Sequence, residues 1–127
     1  MQIVDSQIHL WENGKMSAKH RQIPTYSADD ALKEMAEAGV DAAVIHPPTE
    51  FGEASIAQAV EAARLHPDKF CILGHFDAGL PDAPDAVKHW RQRPGMVGFR
   101  LSFNQPHRKT WWTDGTLDWF WAACEEE

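Results

Sequence analysis

Four times along its 127 residues the chain repeats one order of events: a short apolar run, a loop, then an amphipathic stretch of helical spacing closed by Gly or Pro. That grammar constrains the fold more than any other feature. Ile3 to Leu10 reads as a strand, followed by a long loop through about Tyr26. A helix is expected from Ser27, with Ser27 as N-cap, Asp30 three residues on, an apolar stripe of Leu32, Met35 and Ala36, and Gly39 at its end. The second unit pairs a strand at Ala42–Ile45 with a helix carrying Ile56, Ala59, Val60 and Ala63, stopped by Pro67. The third pairs a strand at Phe70–Phe76 with a helix that has Pro84 in its first turn, buries Val87 and Trp90, and ends by Pro94-Gly95. In the fourth, a strand at Met96–Leu101 precedes a helix beginning near Thr116, with Leu117, Phe120, Trp121 and Cys124 on one face. Strands alternating with helices imply an α/β fold, with a parallel sheet and right-handed crossovers.

Composition narrows the function classes. Net charge is −7 and the basic residues are scattered, so a polyanion such as nucleic acid is not an expected partner. No apolar run approaches the length of a membrane span, and Met1-Gln2-Ile3-Val4-Asp5 does not resemble a secretory leader. A cytoplasmic protein is expected. Cys71 and Cys124 lack short-spaced partners and fall in apolar patterns, so both read as buried thiols.

Loop lengths point to the working end of the sheet. Helix-to-strand connections such as Gly39-Val40-Asp41 and Pro94-Gly95 are tight, whereas Trp11 to Tyr26 and Ser102 to Asp114 are long. In such folds function is built on the loops that follow the strands. The first strand closes on Gln7-Ile8-His9, the second on His46, the third on His75 and Asp77, and the fourth on Arg100. Residues two apart in a strand share a face, which would put Gln7 and His9 on the same side as Asp5. His46, His75 and Arg100 would then reach a common mouth from neighbouring strands. Imidazoles move protons near neutral pH, and a guanidinium grips a carboxylate with two parallel hydrogen bonds. His20, His66, His89 and His107 have no such placement. Trp111 and Trp112 would either wall a pocket or pin their loop, and Trp121 reads as core.

The opening Ile3-Val4-Asp5-Ser6-Gln7-Ile8-His9-Leu10-Trp11 resembles the start of amidohydrolase-related proteins, which include sugar-lactone and pyrone-dicarboxylate lactonases and some aromatic-acid decarboxylases. Gly39-Val40-Asp41-Ala42-Ala43-Val44, His66-Pro67-Asp68-Lys69-Phe70 and Gly98-Phe99-Arg100-Leu101 agree with it in order and spacing. The resemblance implies a (β/α)8 TIM barrel, of which this chain would be the first four β/α units. It also implies a His-x-His pair ending the first strand, further His residues later, and a final Asp that activates water. Here Gln7 stands in place of the first His and only His9 matches. Gln is a poor ligand beside imidazole, and catalytic zinc normally needs three protein ligands. A divalent metal such as zinc is therefore implied by the family but disfavoured by Gln7, and the lactonase branch fits better. Arg100 matches a position suited to hold a substrate carboxylate.

A full barrel needs about 250 residues, and Glu125-Glu126-Glu127 oppose the dipole of the last helix, so the chain is expected to be the N-terminal half of a longer barrel that carries the catalytic Asp elsewhere. The leading expectation is a hydrolase of a lactone, or a similar ester or amide, of a small carboxylated metabolite. Gln7 and His9 would be catalytic, with His9 polarising the carbonyl, while Arg100, His46 and His75 bind substrate. The alternatives are a decarboxylase of the same fold and a non-catalytic half-barrel that binds or assembles. Open first and fourth strands would favour self-association. A nucleotide-binding open sheet is disfavoured, because no glycine-rich phosphate loop follows a strand.

Overall fold

The computed structural model describes residues 1–127. Its strands are β1 (Val4–Ile8), β2 (Ala42–Ile45), β3 (Phe70–His75) and β4 (Met96–Arg100), and its helices α1 (Ala28–Ala38), α2 (Gly52–Leu65), α3 (Ala83–Lys88) and α4 (Asp118–Glu126). The strands lie in the order β1-β2-β3-β4, and every neighbouring pair is parallel. Each helix follows its strand in sequence, as the alternating pattern requires.

One side of the sheet carries the core. Ala43 and Ile45 from β2, Phe70 and Ile72 from β3 and Met96 from β4 pack with Ala31 and Met35 of α1 and Ala59, Ala62 and Ala63 of α2. The run of alanines on α2 lets that helix sit close to the sheet. A second cluster joins Phe76, Val87, Leu117 and Phe120, with Phe76 and Phe120 stacked at 5.3 Å. On the other side, Val44, Cys71 and Leu73 are only half-buried. β1 and β4 are the sheet edges, and Ile3, Val4 and Val97 are exposed there. No helix is long and apolar enough to cross a membrane.

The start of α1 follows the sequence closely. The Ser27 hydroxyl accepts the Asp30 N–H at 3.2 Å, the Asp30 carboxylate accepts the Ser27 N–H at 2.9 Å, and Gly39 ends the helix at φ +72°. Ser27→Ala removes one half of this reciprocal cap, so thermal unfolding should show a loss of about 1 kcal/mol. An unchanged midpoint would mean that solvent satisfies the helix end equally well.

Several expectations need correction. β1 is shorter than Ile3–Leu10, because Leu10 and Trp11 already turn into the core, and Trp11 forms an isolated bridge with Tyr26. α3 stops at Lys88 and the chain tightens into a 3-10 turn at Trp90–Gln92. That turn brings the Trp90 indole N–H to the Gly98 carbonyl at 2.8 Å and its ring to Phe99 at 4.4 Å. Trp121 is not core: it is 39% exposed. Phe120 and Cys124 of α4 face inward with the N-cap Leu117, and Trp121 lies on the helix flank, edge-on to Trp112 at 5.4 Å. Both cysteines are half-buried rather than buried, and burial raises each thiol above its ordinary pKa.

Candidate functional site at the strand C-termini

The end of β1 is built by its pairing with β2. Asp5 lies level with Ala43 and Ile8 with Ile45, so three residues on β1 span two on β2. This shift breaks the strict alternation counted from Asp5, and the expectation that Asp5 shares a face with Gln7 and His9 is not met. The Asp5 carboxylate instead accepts the Gln7 N–H at 3.0 Å. Ile8 points to the apolar core, while Gln7 and His9 turn the other way.

His9 and His46 stitch the two strands together. The His9 Nδ1 lies 2.6 Å from the His46 carbonyl. A carbonyl only accepts, so Nδ1 carries the proton and Nε2 keeps a lone pair. The Gln7 amide nitrogen makes a long contact with that lone pair at 3.4 Å. The same logic applies to His46, whose Nε2 donates to the Ser6 carbonyl at 3.2 Å. Its Nδ1 is buried without a partner, and the residue is 7% exposed.

On the next strands, His75 lies level with Arg100, and the Phe76 N–H donates to the Arg100 carbonyl at 3.0 Å. Beyond β3, the Asp77 carboxylate pairs with Arg108 at 2.7 Å and also accepts the Gly79 N–H at 3.0 Å. Arg108 in turn lies over the Trp111 ring at 5.2 Å. These contacts pin the loop after β4, and Trp112 remains exposed. Trp111 anchors the loop, and neither tryptophan lines the cavity beside His9.

Gln7, His9 and Arg100 line one cavity of about 180 Å³, together with Met16, His20 and Glu50. His75 and Asp77 line an adjoining one of about 380 Å³, and Pro48 and Thr49 are common to the two. His46 lines neither. A hollow of about 480 Å³ lies at the other end of the strands, between Met1, Gln2, Asp41, Asp68 and Lys69, but holds no imidazole. Chemistry in barrel folds gathers at the C-terminal end, where His9, His46 and His75 are.

Burial lowers the pKa of His9, against the raising effect of its bond to the His46 carbonyl; nearby His20 and Arg100 add to the lowering. Burial is also the main cause of the lowered values of His46 and His75, with Arg100 assisting in both. All three rings therefore favour the neutral form at neutral pH. At Asp77 partial burial works upward, but the Arg108 and Gly79 hydrogen bonds prevail and hold the carboxyl below its ordinary value. Arg100 joins none of the chain's ion pairs, and its side chain is exposed toward the cavity.

His20, which the sequence places at no strand end, and Glu50 also line this cavity. His20 sits mid-loop without strand phase, yet its ring meets the His9 ring edge-on at 5.1 Å. The signal was there in Trp11 and Met16, apolar residues that anchor the loop at 4% and 3% exposure. No three His, Cys, Asp or Glu side chains are grouped to hold a metal ion.

Comparison with known proteins extends this geometry. The family model described as Amidohydrolase matches residues 4–127. Among solved structures, the chain is similar to a probable 2-pyrone-4,6-dicarboxylic acid hydrolase from Acinetobacter baumannii with citric acid bound, at a TM-score of 0.58 and 16% identity. The match covers 87% of this chain and 44% of that one, so the chain spans less than half of that relative's length. At this identity the likeness is one of fold, and it marks the four units as part of a (β/α)8 barrel. No curated protein matches.

Proposed function

The chain belongs to the amidohydrolase family, and on that premise we propose that it forms part of a hydrolase acting on a lactone, or a related ester or amide, of a small carboxylated metabolite. The observation that carries this reading is the cavity where the unpaired Arg100 guanidinium and the His9 Nε2 lone pair meet. A guanidinium free of protein partners suits a carboxylate, which it can bind through two parallel hydrogen bonds. A solved relative named for a pyrone dicarboxylic acid, with a tricarboxylic acid bound, supports the same substrate class.

The His9 tautomer supports a role other than the expected polarisation of the carbonyl, one that would otherwise fall to the Asp expected on a later strand. A nitrogen with a lone pair cannot donate a hydrogen bond to a carbonyl, so His9 Nε2 is suited to accept a proton from the attacking water. The Gln7 amide, an N–H donor beside it, is suited to the carbonyl oxygen as negative charge builds there. Water oxygen then bonds to the carbonyl carbon, the ring C–O bond breaks, and the leaving oxygen takes the proton back from His9 Nε2 to give a hydroxy acid. His75 stands in the adjoining cavity, within reach of a longer substrate. The His46 backbone carbonyl seats the His9 ring, and His46 lines neither cavity.

The test is a screen of the purified gene product against paired lactones, with and without a ring carboxylate, followed by acid release. Hydrolysis confined to the carboxylated members is expected. Release of CO2 without lactone opening would contradict the reading and favour a lyase.

A further inference from the structure

We propose that His20 is a ligand-contacting residue of this site, supplying from the loop after β1 the second imidazole that the strand lacks. The inference rests on the hydrolase reading for the identity of the ligand, a small carboxylated carbonyl compound, but on separate observations for the residue.

The loop that carries His20 is held at several points. Its base is closed by the Trp11–Tyr26 bridge, with N–H to carbonyl distances of 3.1 and 2.9 Å, and the Trp11 indole donates to the Ile23 carbonyl at 3.0 Å. Met16 is buried at the cavity wall. Gly14 lies so close to Phe51 that a Cβ would collide with the ring, which fixes this loop against the one after β2. The His20 turn itself is tied by its N–H to the Ser17 carbonyl at 2.9 Å, and by the Gln22 amide to the Ser17 and His20 carbonyls at 3.0 and 2.8 Å.

Ring orientation is fixed as well. Nδ1 of His20 meets the Ser17 hydroxyl at 2.7 Å, which leaves Nε2 free of protein hydrogen bonds. The rings of His9 and His20 cross at 73° with centroids 5.1 Å apart, and both line the cavity that holds Arg100. A loop tied this firmly gains nothing for the core by placing a half-buried imidazole edge-on to His9. It does gain a hydrogen-bonding group in the cavity that Arg100 also lines. One ligand bridging the two would put its carboxylate on Arg100 and an oxygen on His20 Nε2.

Succinate binding by calorimetry and turnover of a carboxylated lactone, both on the purified gene product, test this. His20→Ala should weaken succinate binding by about tenfold and lower kcat/KM similarly, the loss expected for one hydrogen bond to a charged group. His20→Gln, which keeps a donor, should recover part of both. If the wild type opens no lactone yet succinate affinity still depends on His20, the hydrolase reading fails and the assignment of His20 stands. If the wild type is active and His20→Ala equals it in affinity and turnover, the assignment falls while the hydrolase reading stands. Failure of the wild type to bind succinate would also overturn it.

Discussion

His9→Ala is expected to reduce kcat on a carboxylated lactone by a factor on the order of 10²–10⁴, the span attributed to a positioned general base. The effect should fall on kcat rather than KM, because the Nε2 lone pair acts on water and not on the resting substrate. A pH signature accompanies it. Burial first, then nearby His20 and Arg100, place the His9 pKa below its ordinary 6.5. The neutral, proton-accepting form therefore prevails above that range, and wild-type activity should hold at neutral pH and fall as the pH drops through the lowered value. That acid limb should vanish from the residual activity of His9→Ala. A variant that keeps wild-type kcat and the same acid limb would remove His9 from the mechanism.

Arg100→Gln is expected to raise KM for the same substrate by about 10–100-fold, since a hydrogen-bonded charge pair is worth roughly 1.5–3 kcal/mol. Unlike Asp77 and Arg108, which hold each other at 2.7 Å, Arg100 stabilises nothing in the free chain through an ion pair. Its loss should therefore leave the unfolding midpoint nearly unchanged, and lactones without a carboxylate should be indifferent to it. Arg100→Lys keeps the charge but loses the planar fork, and should recover only part of the affinity. Equal losses for carboxylated and neutral lactones, measured as kcat/KM, would assign Arg100 to some other task.

Much of this was legible in the residues because two periodicities carry it. The Ser27–Asp30 cap, the Gly39 stop and the apolar runs at Ala42–Ile45 and Phe70–Phe76, the last one residue longer than β3, are local signals, each governed by neighbours a few positions away. Parallel order brought Gln7, His9 and Arg100 to the same end of the sheet, as the loop asymmetry implied. What depended on distant partners was not legible. The slip between Asp5 and Ile8 arises in the pairing with β2, so alternation along β1 alone gave the wrong face for Asp5. His46 sits at a strand end like His9 and His75, but its ring folds back to the Ser6 carbonyl forty residues away in sequence. His20 was hidden for the opposite reason. Its position comes from loop ties at Trp11, Met16 and Gln22 that no strand or helix period encodes.

In the proposed mechanism His9 and Arg100 serve one ligand in one opening. A crystal structure of the gene product with an unreactive carboxylated lactone analogue would show whether they do. The carboxylate should lie on the Arg100 guanidinium, with the carbonyl oxygen within hydrogen-bonding reach, about 3 Å, of the Gln7 amide nitrogen. An analogue seated at the opposite end of the strands, or bound with Arg100 turned away to solvent, would contradict it.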